Sequence, residues 1–209
     1  MKSLDSFQLF VITSSENFLN EEKYLSEFFD LGASGIYLRK ERFSNEYLTS
    51  IFNSVKSEYH SKIFIPFSAY NQSFFQKFNP IIHFKEKDRN SENLDVVPSG
   101  AFLSTSIHDL SNWEKLSEKF RFAIYSPVYE SISKVNYKPK ISFDRLASKI
   151  KKHKSAGKIL PQLIALGGIN ERNVSNLKDV GFDGAALLGS IWKSADPSKA
   201  FEKIKLMLD

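Results

Sequence analysis

The sequence predicts a closed (β/α)8 barrel of the TIM type, one domain over residues 1–209. Three observations point there. Short strand-like runs recur eight times, and the last two are apolar without polar alternation, as strands buried on both faces require. A helix-like stretch or a polar connection separates each run from the next, the rhythm of successive strand–helix units. Glycine turns follow the seventh and eighth runs, where barrels of this kind commonly seat phosphate. The rival is an open doubly wound sheet, but that fold carries an early G-x-G-x-x-G turn and this chain has none.

Residues 7–13 (FQLFVIT) form the first expected strand. Phe18, Leu19, Tyr24, Leu25, Phe28, Phe29 and Leu31 then recur at helical spacing, and Gly32 ends that helix. Residues 35–39 are the second strand. Ser44 caps a helix expected to run to about Tyr59, with Tyr47, Leu48, Ile51 and Val55 inward. Residues 62–66 are the third strand, followed by a short helix from Tyr70 to Phe78, and residues 81–84 are the fourth. The polar segment 85–98 holds at most a helical turn. Residues 101–104 are the fifth strand, Asp109 caps a helix to about Lys119, and residues 122–125 are the sixth strand. After a polar loop, Ser142 caps a helix with Phe143, Leu146 and Ile150 inward. Residues 162–166 are the seventh strand, and Asn170 caps a helix striped by Val174, Leu177 and Val180. Residues 184–188 are the eighth strand, and Gly189-Ser190 opens a short helical segment. Asp196-Pro197 starts the last helix as N-cap and first residue, with Phe201, Ile204 and Leu208 buried.

Bulk composition narrows the function classes. Apolar residues are 42% and charged residues 25%, the profile of a globular domain. No apolar run approaches the ~20 residues of a membrane span, and the first residues lack the apolar core of a secretory signal. No membrane partner and a cytoplasmic location are therefore expected. The absence of cysteine excludes disulfides, thiolate catalysis and cysteine-ligated zinc. The net charge of +5 suits anionic small molecules. The one basic cluster (Lys149, Lys151, Lys152, His153, Lys154, Lys158) sits at an expected helix end, where cations complement the dipole, so no nucleic-acid partner is expected.

In such a barrel the chemistry lies in the loops after the strands. Polar residues there are Arg39, Lys40 and Glu41; His83, Lys85 and Asp88; Ser104, Thr105, Ser106 and His108; and Ser126 to Lys134. Cations and hydroxyls stabilise a bound phosphate or a departing pyrophosphate, and a carboxylate can hold magnesium bridging it. In the sixth loop Ser131 and Ser133 alternate beside Lys134, so both hydroxyls can face one side. His83, within an apolar strand, reads as a satisfied barrel histidine, and His108 as a helix cap or a ligand contact. No H-E-x-x-H, nucleophile elbow or P-loop is present.

The motifs carry a resemblance. Leu166-Gly167-Gly168-Ile169-Asn170 with Gly184-Ala185-Ala186-Leu187-Leu188-Gly189-Ser190 resembles the thiazole-phosphate end of the thiamine-phosphate synthase family, which includes a thiazole tautomerase branch. Residues 126–134 (SPVYESISK) resemble its Gly-Pro-Val-Phe-x-Thr-x-Thr-Lys loop. Ser104-Thr105-Ser106-Ile107-His108 resembles its Gly-x-Ser-x-His strand end, Tyr37-Leu38-Arg39 its Gln-Leu-Arg, and His83 with Asp88 its His-x-Gly-Gln-x-Asp.

The resemblance implies a transferase of thiamine biosynthesis joining hydroxymethylpyrimidine diphosphate to thiazole phosphate, with release of pyrophosphate. It implies that Arg39, Ser106 and Lys134 hold pyrophosphate and that Asp88 helps hold Mg2+. It implies that Ser131 and Ser133 contact the thiazole phosphate, that Gly168, Gly189 and Ser190 donate backbone N–H groups to it, and that His108 lies in the substrate site. It also admits a homo-oligomer. The chain departs from the pattern in the first half of the site. Where the family has Arg-Glu-Lys it has Arg39-Lys40-Glu41, and where the family has Asn-Asp it has Pro66-Phe67-Ser68-Ala69-Tyr70. Lys85 and Glu86 stand for Gly and Gln. Lys40 or Lys85 is then a candidate to restore charge, and Glu86 a candidate metal donor. The alternative is a non-synthase relative, a tautomerase or a phosphorylated-ligand-binding protein. Ser126-Pro127 stands where the tautomerase branch has its histidine, which disfavours that activity.

Overall fold

Parallel strands need a crossover between them, and a chain that alternates short apolar runs with helices meets that need by closing on itself. The computed structural model describes residues 6–16, 18–40, 43–130 and 138–208. The strands are β1 (Gln8–Ile12), β2 (Gly35–Tyr37), β3 (Ile63–Pro66), β4 (Ile81–Phe84), β5 (Leu103–Ile107), β6 (Phe120–Tyr125), β7 (Gln162–Leu166) and β8 (Gly184–Leu187). They form a closed parallel barrel in sequence order, β8 pairing with β1 through Gln8↔Gly184 and Val11↔Leu187. The fold is a (β/α)8 barrel.

Around it lie α1 (Glu21–Asp30), α2 (Asn45–Ser54), α3 (Gln72–Phe78), α4 (Ser91–Asp95), α5 (Phe143–Lys154), α6 (Asn176–Val180), α7 (Gly189–Trp192) and α8 (Pro197–Leu206). Odd-numbered β1 residues such as Leu9 and Val11 face this helical layer, packing with Leu25, Phe28, Phe201 and Ile204. Period two sends Phe10 and Ile12 inward instead, with Tyr37, Phe64, Ile81, Phe122, Ile124, Ile164 and Ala186. Phe10, Phe64 and Phe122 form a triangle of rings with centroids 5.2–5.7 Å apart, in tilted or edge-to-face contact. That plug closes the bottom of the barrel. It depends on Gly35, where an added Cβ would come within 2.7 Å of the Phe64 ring.

Several elements differ from the sequence expectation, each for a local reason. The helix expected to reach Tyr59 ends at Ser54, and a 3-10 segment spans Ser57–Lys62. His60 Nε2 lies 2.7 Å from the Phe52 carbonyl and 3.2 Å from that of Val55, so the imidazole closes the helix end. The helix expected from Asp109 to Lys119 is a 3-10 segment over Leu110–Lys115, because β6 already begins at Phe120 and the intervening residues make the return. β5 starts two residues later than expected and runs to Ile107, which brings Ser106 into the strand. Asn170 does not cap α6. Its side chain accepts from Arg172 N–H at 2.9 Å, making a separate turn, and α6 starts at Asn176. No helix among the described residues is long and apolar enough to cross a membrane.

Candidate functional site

Above the aromatic plug the barrel opens into a cavity of about 360 Å³ at the carboxyl ends of the strands. Its lower wall is Ile12, Tyr37, Ile124 and Ala186, which also border the plug. Its polar rim comes from continuing the inward alternation to and past each strand end: Arg39 after β2, Ser68 after β3, Lys85 after β4, Ser106 in β5 and His108 after it, Ser126 after β6. The remaining side is the two glycine turns, Gly167-Gly168 after β7 and Gly189 after β8.

At the centre of the β4–β5 wall His83 is 1% exposed. Its Nδ1 lies 2.9 Å from Ser104 Oγ and its Nε2 2.9 Å from Ser106 Oγ. Burial, helped by the charge of Lys85, holds its pKa down to about 3, so the ring is neutral at pH 7. A neutral imidazole has one N–H and one lone pair, so one serine donates to it and the other accepts. The ring of Tyr37 lies against it at 4.4 Å between centroids. Burial pushes the Tyr37 phenol up to about 12, with Arg39 acting downward and Asp88 upward, so it remains protonated. Arg39 and Lys85 thus act electrostatically on the two members of one neutral, tilted ring pair.

The end of β2 is fixed by Thr13, which is fully buried and accepts from Arg39 N–H at 2.8 Å. The next residue turns away from the ligand space. Lys40 Nζ is 2.7 Å from the Glu21 carboxylate, and both side chains are only 6% exposed. The ammonium also donates to the Glu16 carbonyl at 2.9 Å, and Tyr47 O–H donates to Glu21 at 3.0 Å. Lys40 borders the cavity, but its charge is neutralised. Among the described residues Arg39 and Lys85 have no ion-pair partner.

The sixth and seventh loops hold each other. Val128 N–H donates to the Leu166 carbonyl at 2.9 Å and Tyr129 N–H to that of Gly167 at 3.1 Å, continuing the β6–β7 ladder past its end. Gly168 has φ +66°, and a Cβ there would meet Tyr129 Cβ at 2.7 Å and collide with the Glu130 carbonyl. Only glycine satisfies both the backbone angle and the close approach. Asn173 Nδ2 donates to the Gly168 carbonyl at 3.0 Å, fixing the turn from the far side.

The structure therefore brings Arg39, Ser106, His108, Gly168 and Gly189 to one cavity. Ser190 follows Gly189, and its buried hydroxyl has no partner among the described residues. His108 Nδ1 lies 2.8 Å from the Ser126 carbonyl, so it braces the sixth loop. Asp88 sits on the 3-10 turn Glu86–Asp88 and does not border the cavity. Ser131, Ser133 and Lys134 lie outside the described residues. Glu86 is committed to Arg89 at 3.1 Å and Asn112 at 2.6 Å. Tyr37 and Ser68 have no role assigned from sequence; extending the strand alternation into the loops is the signal that finds them.

Magnesium asks for one or two carboxylates at near-octahedral geometry beside the substrate phosphates. Among the described residues no group of three His, Asp or Glu side chains is placed to hold a metal, and no carboxylate borders the cavity. This donor set does not fit a magnesium site.

No protein-family model matches the chain. It is 27% identical over 128 residues to the thiamine-phosphate synthase of Listeria innocua, a match covering 59% of this chain and 57% of that relative. The fold is similar to thiamine phosphate pyrophosphorylase from Bacteroides thetaiotaomicron, with TM-score 0.76 and 23% identity over 96% of this chain and 97% of the other. It is similar to the Pyrococcus furiosus thiamine phosphate pyrophosphorylase, with TM-score 0.75 and 17% identity over 98% and 96%. The chain is thus similar in sequence to a thiamine-phosphate synthase over a little more than half of that relative's length, and it shares the fold of two thiamine phosphate pyrophosphorylases.

Proposed function

We propose that this chain is a transferase of the thiamine-phosphate synthase type, joining hydroxymethylpyrimidine diphosphate to thiazole phosphate. The observation that carries the reading is one concave site whose floor is apolar and aromatic, with paired glycine turns on one rim and, on the other, Arg39 and Lys85, which have no ion-pair partner among the described residues. A flat heteroaromatic ring suits the Tyr37–Ile124 floor, and two phosphorylated groups suit the two rims. In the reaction the C–O bond to the diphosphate breaks, and both electrons leave with pyrophosphate. The thiazole nitrogen lone pair then forms the new C–N bond to the pyrimidine cation. Arg39, with Ser106 oriented by His83, would meet the charge that develops on the departing oxygen. Gly168, Gly189 and Ser190 would hold the thiazole phosphate, with Ser131 and Ser133. Lys134 would assist pyrophosphate departure.

A second reading has its own support. Among the described residues the β2–β4 side has no lining carboxylate, and Lys40 and Glu86 are committed elsewhere. That favours a protein that binds a thiazole phosphate or related phosphorylated molecule without making the bond. Incubation with both substrates, with and without magnesium, followed for pyrophosphate and thiamine phosphate, separates the two. Product in equal amounts is the expected result. No turnover, with thiazole phosphate still raising the melting temperature, would replace the synthase reading by the binding one.

A further inference from the structure

We infer that this site takes the phosphoryl oxygens of a diphosphate directly on Arg39 and Lys85, with no divalent cation between protein and ligand. The inference rests on the phosphorylated-ligand site proposed above and names how its anion is recognised. The two side chains rise from the ends of β2 and β4 and border one cavity. Beneath them lie Tyr37 and His83, in ring contact at 4.4 Å. Both members of that ring pair are uncharged at pH 7. Neither therefore competes for the cations or repels an anion.

Among the described residues the remaining charges near the rim do not change the balance. Lys40 is cancelled by Glu21 at 2.7 Å in a pocket where both are 6% exposed. Glu86 is held by Arg89 and Asn112. Asp88 lies off the lining and acts upward on the Tyr37 phenol, so it is a rim charge and not a wall charge. A metal bridging protein to diphosphate needs lining oxygens of negative charge, and the described lining supplies cations instead. A metal placed between Arg39, Lys85 and the ligand would face two like charges. Direct contact satisfies both: guanidinium presents planar paired donors to phosphoryl oxygens, and ammonium a compact point charge.

The test is calorimetric titration of the full chain with inorganic pyrophosphate, once in EDTA and once in millimolar magnesium chloride. The expected result is binding in EDTA at an affinity equal to or tighter than in magnesium, since magnesium complexes the ligand in solution. Lys85→Ala should weaken binding in EDTA by about 10-fold or more, the loss typical of a hydrogen bond to a charged group, and Lys85→Arg should restore most of it. Lys85 is exposed, so the substituted chain keeps its fold, checked by circular dichroism. Binding that requires magnesium, binding more than about 10-fold weaker in EDTA, no binding under either condition, or an unaffected Lys85→Ala would each overturn the inference. The outcomes separate from the proposed reaction. Product formation together with magnesium-dependent binding removes this inference and keeps the synthase. Metal-free binding without product does the reverse.

Discussion

The two rims of the cavity are built from different material. The β7–β8 rim is backbone: Gly167 and Gly168 at positive φ, locked to residues 127–130, and Gly189 at the start of α7. The β2–β4 rim is side chain: Arg39, Lys40, His83 and Lys85. A backbone rim depends on glycine and on the ladder beneath it, so its form survives changes in most neighbouring side chains. A side-chain rim can be rewired one residue at a time. Here Lys40 is turned to Glu21 and Lys85 lies at the opening. The half of the site that matches the synthase pattern is the half that side-chain substitution touches least.

Four substitutions break or sharpen that contrast. The largest effect should come from Lys40→Met. It leaves Glu21 buried without its cation, a loss of about 3–5 kcal/mol in urea unfolding for a pair this enclosed. A change below about 1 kcal/mol would mean that the pair is screened by solvent and that Lys40 is available to a ligand. Next is Gly168→Ala. Its Cβ collides with the sixth loop at a left-handed backbone angle, so roughly 1–3 kcal/mol should be lost. The rise in melting temperature induced by thiazole phosphate should shrink with it. If that rise is unchanged, the glycine turn is structural and holds no phosphate.

The third concerns His83. Its folded pKa of about 3 lies below the ordinary histidine value of 6.5, so the unfolded chain binds more protons in that window. The stability it contributes is complete above about 6.5 and declines as the pH falls towards about 3. Melting temperature against pH should therefore drop more steeply for the native chain than for His83→Gln. Parallel curves would remove His83 as the cause. The smallest stability effect should be Lys85→Ala, within about 0.5 kcal/mol because the side chain is exposed and has no ion-pair partner among the described residues. A larger loss would show that Lys85 supports the fold and not only the opening.

The barrel was legible because its signals are local and repeated. Runs such as Ile63–Pro66 and Gly184–Leu187 are apolar on both faces, and the caps at Ser44, Asp109 and Asp196 hold their helix starts as their side chains suggest. The helix ends were less so, because they are set by contacts distant from the pattern. His60 closes α2 through a ring-to-carbonyl bond, and Trp113 is tied to Pro161 across 48 residues at 2.9 Å. In the site, the grouping of Arg39, Ser106, His108, Gly168 and Gly189 follows from strand order alone. The fate of Lys40 does not. Whether its ammonium reaches the ligand or Glu21 depends on where α1 lies, and spacing in sequence does not report that. His83 reads as a satisfied barrel histidine, and it is one. Its partners, two serines on the neighbouring strand, follow only from the His83↔Ser104 register.

The central claim is that the altered β2–β4 rim still supports bond formation. The most direct measurement mixes the purified chain with hydroxymethylpyrimidine diphosphate and thiazole phosphate and quantifies thiamine phosphate and pyrophosphate over time. The account predicts both products in equal amounts, at a rate reduced by about 100-fold or more in Arg39→Ala, the cost typical of losing one group aimed at developing charge. Thiazole phosphate that binds but never appears in product would contradict it.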